Sequence, residues 1–269
     1  MLVDNGSKRP AATLGLRALA ARLAEASGRP VQAVSLQHAD KIPAAELDGE
    51  AAKVFPSFVR QQLEIGVRDF VVVPLFFGES RALTSFIPEQ IDQLRGQYGQ
   101  ITVRLAEPLV PLSVGEPRLV QILADNIAKT HTALDGRPSH VLLVDHGSPK
   151  PAVTAVRQRL AGQLAELMPV AATLGEAVME RRPGPEYDFN GPLLAQALDD
   201  CAAQNPQAHV AVAMLFLLPG RHAGPGGDVT EICADAIARN PGLRVAVSPL
   251  VGEHPRVTEI LYDRLTAVL

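Results

Sequence analysis

The chain contains an internal repeat, which constrains its fold more than any other feature. Residues 1–11 return as residues 142–152, an offset of 141, with the same Asp, Gly, Ser, Pro and Ala. Two shorter matches keep nearly the same register, residues 108–110 with 249–251 and residues 75–76 with 215–216. Matches in the same order, at offsets of 140 and 141, indicate a duplicated unit, so we expect two similar lobes.

Apolar runs and helical patterns alternate along both copies. The apolar runs lie at residues 70–76, 101–105, 141–144, 210–217 and 243–247, and helical patterns lie at residues 87–98, 152–167 and 257–268. The runs are short and lack strict polar alternation, which is typical of strands buried on both faces of a parallel sheet. We therefore predict an α/β fold with two doubly wound parallel-sheet lobes flanked by helices, and a cleft between the lobes.

The boundary between the copies falls near residues 130–139, where Asp135-Gly-Arg-Pro138 favours a turn. We expect an N-terminal lobe over residues 1–132 and a C-terminal lobe over residues 138–269. Because one chain carries both lobes, a second chain is not needed to complete the cleft. We therefore expect a monomer, with a dimer as the alternative.

Composition narrows the class of protein. Hydrophobic residues make up 47% of the chain and charged residues 20%, with a net charge of −4. This profile gives no support for nucleic-acid binding, which needs a basic surface, and no apolar run reaches the roughly 20 residues of a membrane span. Cys201 and Cys233 lack metal-site spacing, so we expect buried thiols in a reducing compartment. No secretion signal is evident before the first strand, so we expect a cytoplasmic protein.

Three residues of the second copy follow predicted strands directly. They are His146, Glu180 and His222. In open α/β sheets, ligands bind beyond the carboxyl ends of the strands, so we expect these side chains at one edge of the sheet. Two imidazoles and a carboxylate suit a divalent metal such as iron or cobalt, and the same groups accept protons near neutral pH.

A plainer interpretation applies to each histidine taken singly, because a histidine at a strand end is commonly just a hydrogen-bonded polar residue. Two histidines and a glutamate on converging loops favour a site. The glycine-rich loop at residues 219–228 is not a Walker loop, since no Gly-Lys-Ser/Thr follows, and it does not match the dinucleotide fingerprint. The other histidines are dispersed along the chain.

The first copy serves as an internal comparison. Asn5 stands at the position of His146, Ala82 at that of His222, and Gln37 at that of Glu180 by a weaker match. Asn and Gln are poor bases and poor metal ligands, and Ala is neither. The repeat therefore predicts a degenerate site in the N-terminal lobe and a candidate active site in the C-terminal lobe.

Two motifs resemble a known family. Val144-Asp-His-Gly-Ser148 with Pro151, and Phe216-Leu-x-x-Gly-x-His222, resemble the signatures of the sirohydrochlorin cobalt/iron chelatases, which are two-lobed members of the ferrochelatase-like class. The resemblance covers nearly the whole chain. It implies an enzyme that inserts Co²⁺ or Fe²⁺ into sirohydrochlorin or a related tetrapyrrole on the route to sirohaem or cobalamin, with the metal as substrate and no permanent cofactor.

The resemblance also implies roles for single residues. His146 and His222 would hold the metal and take up pyrrole protons, with assistance from Glu180. The planar forks of arginines suit the carboxylates of the macrocycle, although these side chains can equally be solvated. The expected substrate contacts are Ser148, Arg181, Arg221 and Gly224.

The second motif departs from the family pattern. The family often shows Asp-Ile-Pro four residues after the second His, but here Gly226 stands there and Asp228-Val229 follows two residues later, while the first copy keeps Phe86-Ile-Pro88. The geometry of this loop and the choice of metal therefore stay open. Two alternatives also remain, a non-catalytic tetrapyrrole or metal carrier and a purely structural paralogue.

Overall fold

Each copy of the repeat forms a four-stranded sheet with every pair of neighbouring strands parallel. The computed structural model describes residues 1–170 and 172–269. The first sheet has the order β2-β1-β3-β4 and the second the order β6-β5-β7-β8. Their strands are β1 Leu2–Asp4, β2 Ala33–Ser35, β3 Asp69–Pro74, β4 Thr102–Leu105, β5 His140–Asp145, β6 Thr173–Val178, β7 His209–Met214 and β8 Arg244–Val247.

Helices alternate with these strands, which confirms the predicted α/β class. The eight α-helices are α1 Pro10–Ser27, α2 Phe55–Glu64, α3 Ile87–Tyr98, α4 Pro117–Ala128, α5 Pro151–Leu167, α6 Leu194–Gln204, α7 Asp228–Arg239 and α8 Arg256–Thr266 within the described residues. Helix α3 coincides with the predicted helix at 87–98. The strands predicted at 70–76 and 210–217 end sooner, at Pro74 and Met214.

Proline starts equivalent helices in the two copies. Pro10 opens α1 and Pro151 opens α5, and both are repeated residues. Proline suits the first helical position, because its φ is already helical and its missing N–H has no partner there in any helix. This places the short turns at residues 5–9 and 146–150 immediately beyond the central strands.

The central strand of the second sheet is buried on both faces. Residues Val141 to Val144 of β5 are at most 5% exposed, and Leu142 and Val144 pack with Leu194 and Leu198 of α6. Each fully buried branched side chain contributes about 1.5–3 kcal/mol. The same packing fixes the end of β5 against its neighbours β6 and β7, and this is the edge at which His146 emerges.

The compact units differ from the two segments expected from the repeat. One unit comprises Met1–Pro111 with Pro255–Leu269, and the other comprises Leu112–His254. Helix α4, from the first copy, packs on α5 and β7, whereas α8, from the second copy, packs on α1 and β3. The last helix of each copy, α4 or α8, therefore belongs to the compact unit that contains the sheet of the other copy. A division of the chain at residues 132–138 does not separate these compact units.

Helices α4 and α8, which are exchanged between the copies, form hydrogen bonds with the repeated Pro-Leu-Val segments. Asn126 of α4 donates to the carbonyl oxygens of Pro249 and Leu250, at 3.3 and 3.4 Å. Arg264 of α8 donates to those of Pro108 and Leu109, at 3.0 and 3.1 Å. A buried carbonyl oxygen without a hydrogen bond lowers the stability of the fold. Each Pro-Leu-Val segment therefore has a side chain that donates hydrogen bonds to its carbonyl oxygens.

Asp4 ends β1 with a buried carboxyl group. It is 8% exposed, and its Oδ1 has no hydrogen-bond partner within the described part of the chain. Burial raises the pKa of Asp4 from 3.8 to about 6, although hydrogen bonds from the Ser35 hydroxyl and the Gly6 N–H lower it. Between pH 3.8 and about 6, the carboxyl group of Asp4 is therefore protonated in the native state and ionised in the unfolded chain.

Replacing Asp4 with Asn should remove a pH-dependent cost of folding. As the pH rises from 3.8 to about 6, the native carboxyl must ionise without its hydration, so its contribution to stability falls and stays low above that range. The shift corresponds to about 3 kcal/mol. The free energy of unfolding can be measured with urea at about pH 4 and at about pH 7. The stability of Asp4→Asn relative to the wild type should be higher at about pH 7 than at about pH 4 by roughly that amount.

The exposed Asp40 provides the control, and Asp40→Asn should follow the wild-type profile. An Asp4→Asn profile parallel to that of the wild type would contradict the raised pKa of Asp4.

Candidate functional site

The turn after β5 lies against the segment that follows β6. Gly147 has a φ of +90°, and a Cβ there would lie 1.9 Å from the carbonyl oxygen of Glu180. The N–H of Glu180 donates to the carbonyl oxygen of His146 at 3.1 Å. Only glycine permits both this φ and this approach. The pairing of β5 with β6 therefore brings the His146 and Glu180 segments together.

The His146 ring lies between a carbonyl and a carboxylate. Its Nδ1 is 3.1 Å from the carbonyl oxygen of Gly147, and its Nε2 is 3.4 Å from Oε1 of Glu180. A carbonyl oxygen only accepts, so this contact assigns the hydrogen to Nδ1. Nε2 and Oε1 then present lone pairs to each other, and a proton or a metal cation satisfies both.

His222 is oriented by an aspartate. Its Nδ1 is 2.6 Å from Oδ2 of Asp228, the first residue of α7. Because the carboxylate accepts the Nδ1 hydrogen, Nε2 is left with a lone pair for a metal or a proton. The sequence analysis missed this contact of Asp228 with His222. The available signal was an acidic residue at the start of the helix after His222.

The two imidazoles meet each other. Their ring centroids are 4.7 Å apart and the ring planes are inclined by 77°. Metal–nitrogen bonds of about 2 Å require the two nitrogens to lie within about 4 Å, which rings at this separation permit. In residues 1–170 and 172–269, no group of three or more His, Cys, Asp or Glu side chains has a metal-holding arrangement.

Some of the residues expected to contact the substrate already make contacts within the protein, and others do not. The Ser148 hydroxyl accepts from the N–H of Lys150 at 3.1 Å. Arg181 donates to the carbonyl oxygen of Gly191 and pairs with Asp188, both at 3.1 Å. The side chain of Arg221 is 74% exposed and 3.8 Å from Asp228, so it extends into solvent beside His222.

Gly224 is buried inside the His222 loop. A Cβ at this position would lie 2.8 Å from the carbonyl oxygen of Gly220, and the N–H of Gly224 donates to the same oxygen. The loop itself thus requires glycine here. Substrate contact by Gly224 stays a prediction, with no support from the packing of this residue.

The counterparts in the first copy also lie together. Asn5, Gln37 and Ala82 line one cavity of about 310 Å³. A Cβ on Gly6 would lie 1.8 Å from the carbonyl oxygen of Gln37, as Gly147 approaches Glu180. The weaker match of Gln37 with Glu180 therefore has the same backbone geometry. The first lobe keeps this backbone arrangement but has no imidazole or carboxylate at the positions of His146, Glu180 and His222.

Comparison with known proteins identifies the family. The model of the CbiX family matches residues 1–130 and again residues 140–268, once in each copy. The chain belongs to the CbiX family. The resemblance seen in the two histidine motifs is thus confirmed at the level of the family. A search of curated proteins found no match.

Solved structures share the fold. SirB from Bacillus subtilis with Fe³⁺ matches with a TM-score of 0.70 and 17% identity, over 99% of this chain and 93% of that one. SirB from Bacillus subtilis subspecies spizizenii, a sirohydrochlorin chelatase in complex with cobalt, matches with a TM-score of 0.68, 17% identity and the same coverage. CbiX, described as the terminal enzyme for biosynthesis of siroheme in denitrifying bacteria, matches at 0.60 and 21% over 100% and 98%.

Substituting Gly147 with Ala should destabilise the protein. The added methyl group would meet the Glu180 carbonyl oxygen and the φ of +90° would be strained, a combined cost of at least about 2 kcal/mol. Thermal unfolding of Gly147→Ala should show a lowered midpoint.

The matched control is Gly162→Ala within α5. Gly162 has open space around its Cβ direction, so this change should stabilise the helix by roughly 0.5–1 kcal/mol. Equal midpoints for the two variants would contradict the close packing of the Gly147 turn.

Proposed function

We propose that this protein is a chelatase that inserts a divalent metal, Co²⁺ or Fe²⁺, into sirohydrochlorin or a related tetrapyrrole. The observation that carries the proposal is the meeting of two imidazoles, His146 and His222, each with its own carboxylate. Membership of the CbiX family supports it. So does the likeness to SirB structures containing Fe³⁺ and cobalt.

The site suits the proton balance of metal insertion. As a divalent metal enters a tetrapyrrole, two pyrrole N–H bonds break and both protons need acceptors. In the proposed step, His146 and His222 present the metal through Nε2, and each Nε2 can take a proton once the metal has moved to the macrocycle. Glu180, 3.4 Å from Nε2 of His146, can pass that proton to solvent because its side chain is 62% exposed.

The surroundings of the imidazoles suit a carboxylate-rich substrate. Arg221 is exposed beside His222, and its guanidinium can pair with a peripheral carboxylate of the macrocycle. Arg181 can do so only by giving up its contacts to Asp188 and Gly191. We therefore assign Arg221 the larger role in substrate binding.

A cytoplasmic location accompanies this proposal. Cys201 and Cys233 are both buried and free, as thiols of a reducing compartment are. Among the described helices, none combines the length and the apolar character that crossing a membrane requires.

Replacing either imidazole should abolish catalysis of insertion. His146→Ala and His222→Ala each remove one of two metal ligands, so the rate of Co²⁺ insertion into sirohydrochlorin should fall to the spontaneous rate. Insertion is followed by the change in tetrapyrrole absorbance with purified protein. The control is His209→Ala, since His209 begins β7 at the opposite end of the strand, and this variant should keep wild-type activity.

Two results would overturn parts of the proposal. A wild type no faster than the spontaneous reaction would exclude the enzyme, and tight binding of tetrapyrrole or metal without turnover would identify a carrier. Full activity in either histidine variant would exclude that residue from the site.

Neutralising Asp228 should weaken catalysis without removing a metal ligand. In Asp228→Asn the partner of His222 Nδ1 loses its charge, so the ring is held less firmly and binds the metal less strongly. Loss of such a partner typically costs about 10–100-fold in metal affinity or activity. Titration with Co²⁺ and the insertion assay should both show this loss, and a variant with wild-type values would contradict the orienting role.

A further inference from the structure

A buried arginine lies beneath the His146 turn. Arg157 of α5 is 1% exposed and heads the set of large, fully buried side chains. It donates to Oδ1 of Asp145 at 2.7 Å and to Oε2 of Glu176 at 3.0 Å. It also donates to the carbonyl oxygen of Asn190 at 2.6 Å. A buried charge is tolerated only when it is paired in this way.

The groups that Arg157 holds in turn hold the residues after His146. Oδ1 of Asp145 accepts from the N–H of Gly147 at 3.0 Å. The Asn190 side chain accepts from the N–H of Ser148 and donates to its carbonyl oxygen, both at 2.9 Å. Asn190 is fully buried. The backbone of the turn is thus tied to α5, to β6 through Glu176, and to the segment at residues 185–190.

The first copy has lost this set of contacts. The repeat and the strand pairing give the counterparts: Leu16 for Arg157, Ala33 for Glu176 and Ala51 for Asn190. Only Asp4 remains, with its Oδ1 unpartnered among the described residues. The first copy, which lacks the imidazoles, therefore also lacks the buried arginine and two of its three partners.

The first copy also shows what the fold itself requires. Gly6 has a φ of +87° and Gly147 a φ of +90°, and both approach the matching carbonyl oxygen in the same way. The turn therefore forms with Leu16, Ala33 and Ala51 in place of the polar set. Since a buried ion pair is weak support for stability, another role must account for Arg157.

We propose that Arg157, acting through Asp145 and Asn190, is a positioning residue that holds the His146 turn rigid for metal transfer. This role rests on the function proposed above. The His146 ring is 45% exposed, so packing alone does not fix its position. A metal ligand must stay within about 0.5 Å of its productive position, and the backbone contacts of Gly147 and Ser148 supply that constraint.

The test replaces the polar set by its first-lobe counterparts. Arg157→Leu alone would leave two carboxylates without their cation, so the variant is the triple change Arg157→Leu, Glu176→Ala and Asn190→Ala. The first copy folds with those residues, and we expect a folded protein by circular dichroism. Co²⁺ affinity, followed by the visible absorption of the bound ion, and kcat for insertion into sirohydrochlorin should fall by roughly 10–100-fold, with KM for sirohydrochlorin unchanged.

Two further variants sharpen the result. Arg157→Lys keeps the charge but loses the planar fork, so its kcat should lie between those of the wild type and the triple variant. Arg239→Leu removes an exposed arginine paired with Asp199 at 3.0 Å and should leave kcat and Co²⁺ affinity unchanged.

Each outcome decides the role of Arg157. A folded triple variant with wild-type kcat and Co²⁺ affinity would overturn it, and so would a triple variant that fails to fold, since Arg157 would then serve the fold. A wild type without insertion activity would instead overturn the proposed function, and the positioning role with it.

Discussion

Parallel pairing of β5 with β6 on one side and β7 on the other is the constraint on which the site depends. Parallel strands end at the same edge, so residues far apart in sequence emerge side by side. His146 follows β5, Glu180 follows β6, and His222 lies in the loop after β7. The contact of Gly147 with the Glu180 carbonyl then sets the distance between the first two segments.

Much of this arrangement could be predicted from the sequence. The repeat indicated two lobes, and the short apolar runs indicated parallel strands. The rule that ligands bind beyond strand ends then selected the two histidines. The predictions of two lobes and of parallel strands were confirmed, because they use local patterns and a general property of parallel sheets, neither of which requires knowledge of side-chain packing. The role of the two histidines stays a prediction, and their rings lie 4.7 Å apart.

Other features depend on contacts that no local pattern records. The exchange of α4 and α8 is one, since nothing in the helix sequences states which sheet each covers. The partnership of His222 with Asp228 is another, because the loop between them departs from the family spacing. Arg157 lies in a helix whose pattern resembles any amphipathic surface helix, and its burial depends on Asp145, Glu176 and Asn190, which come from separate segments.

The exchanged helices have a consequence for how the protein folds. Each compact unit is completed by a segment from the other copy, so neither copy alone contains all the parts of one unit. A chain interrupted near residues 130–139 would yield two fragments, each lacking the helix that covers its own sheet. During synthesis α8 is made after the strands of both sheets, so the first unit is completed only once the second copy has been made. Each compact unit therefore depends on residues from both copies, in spite of the separate sheets.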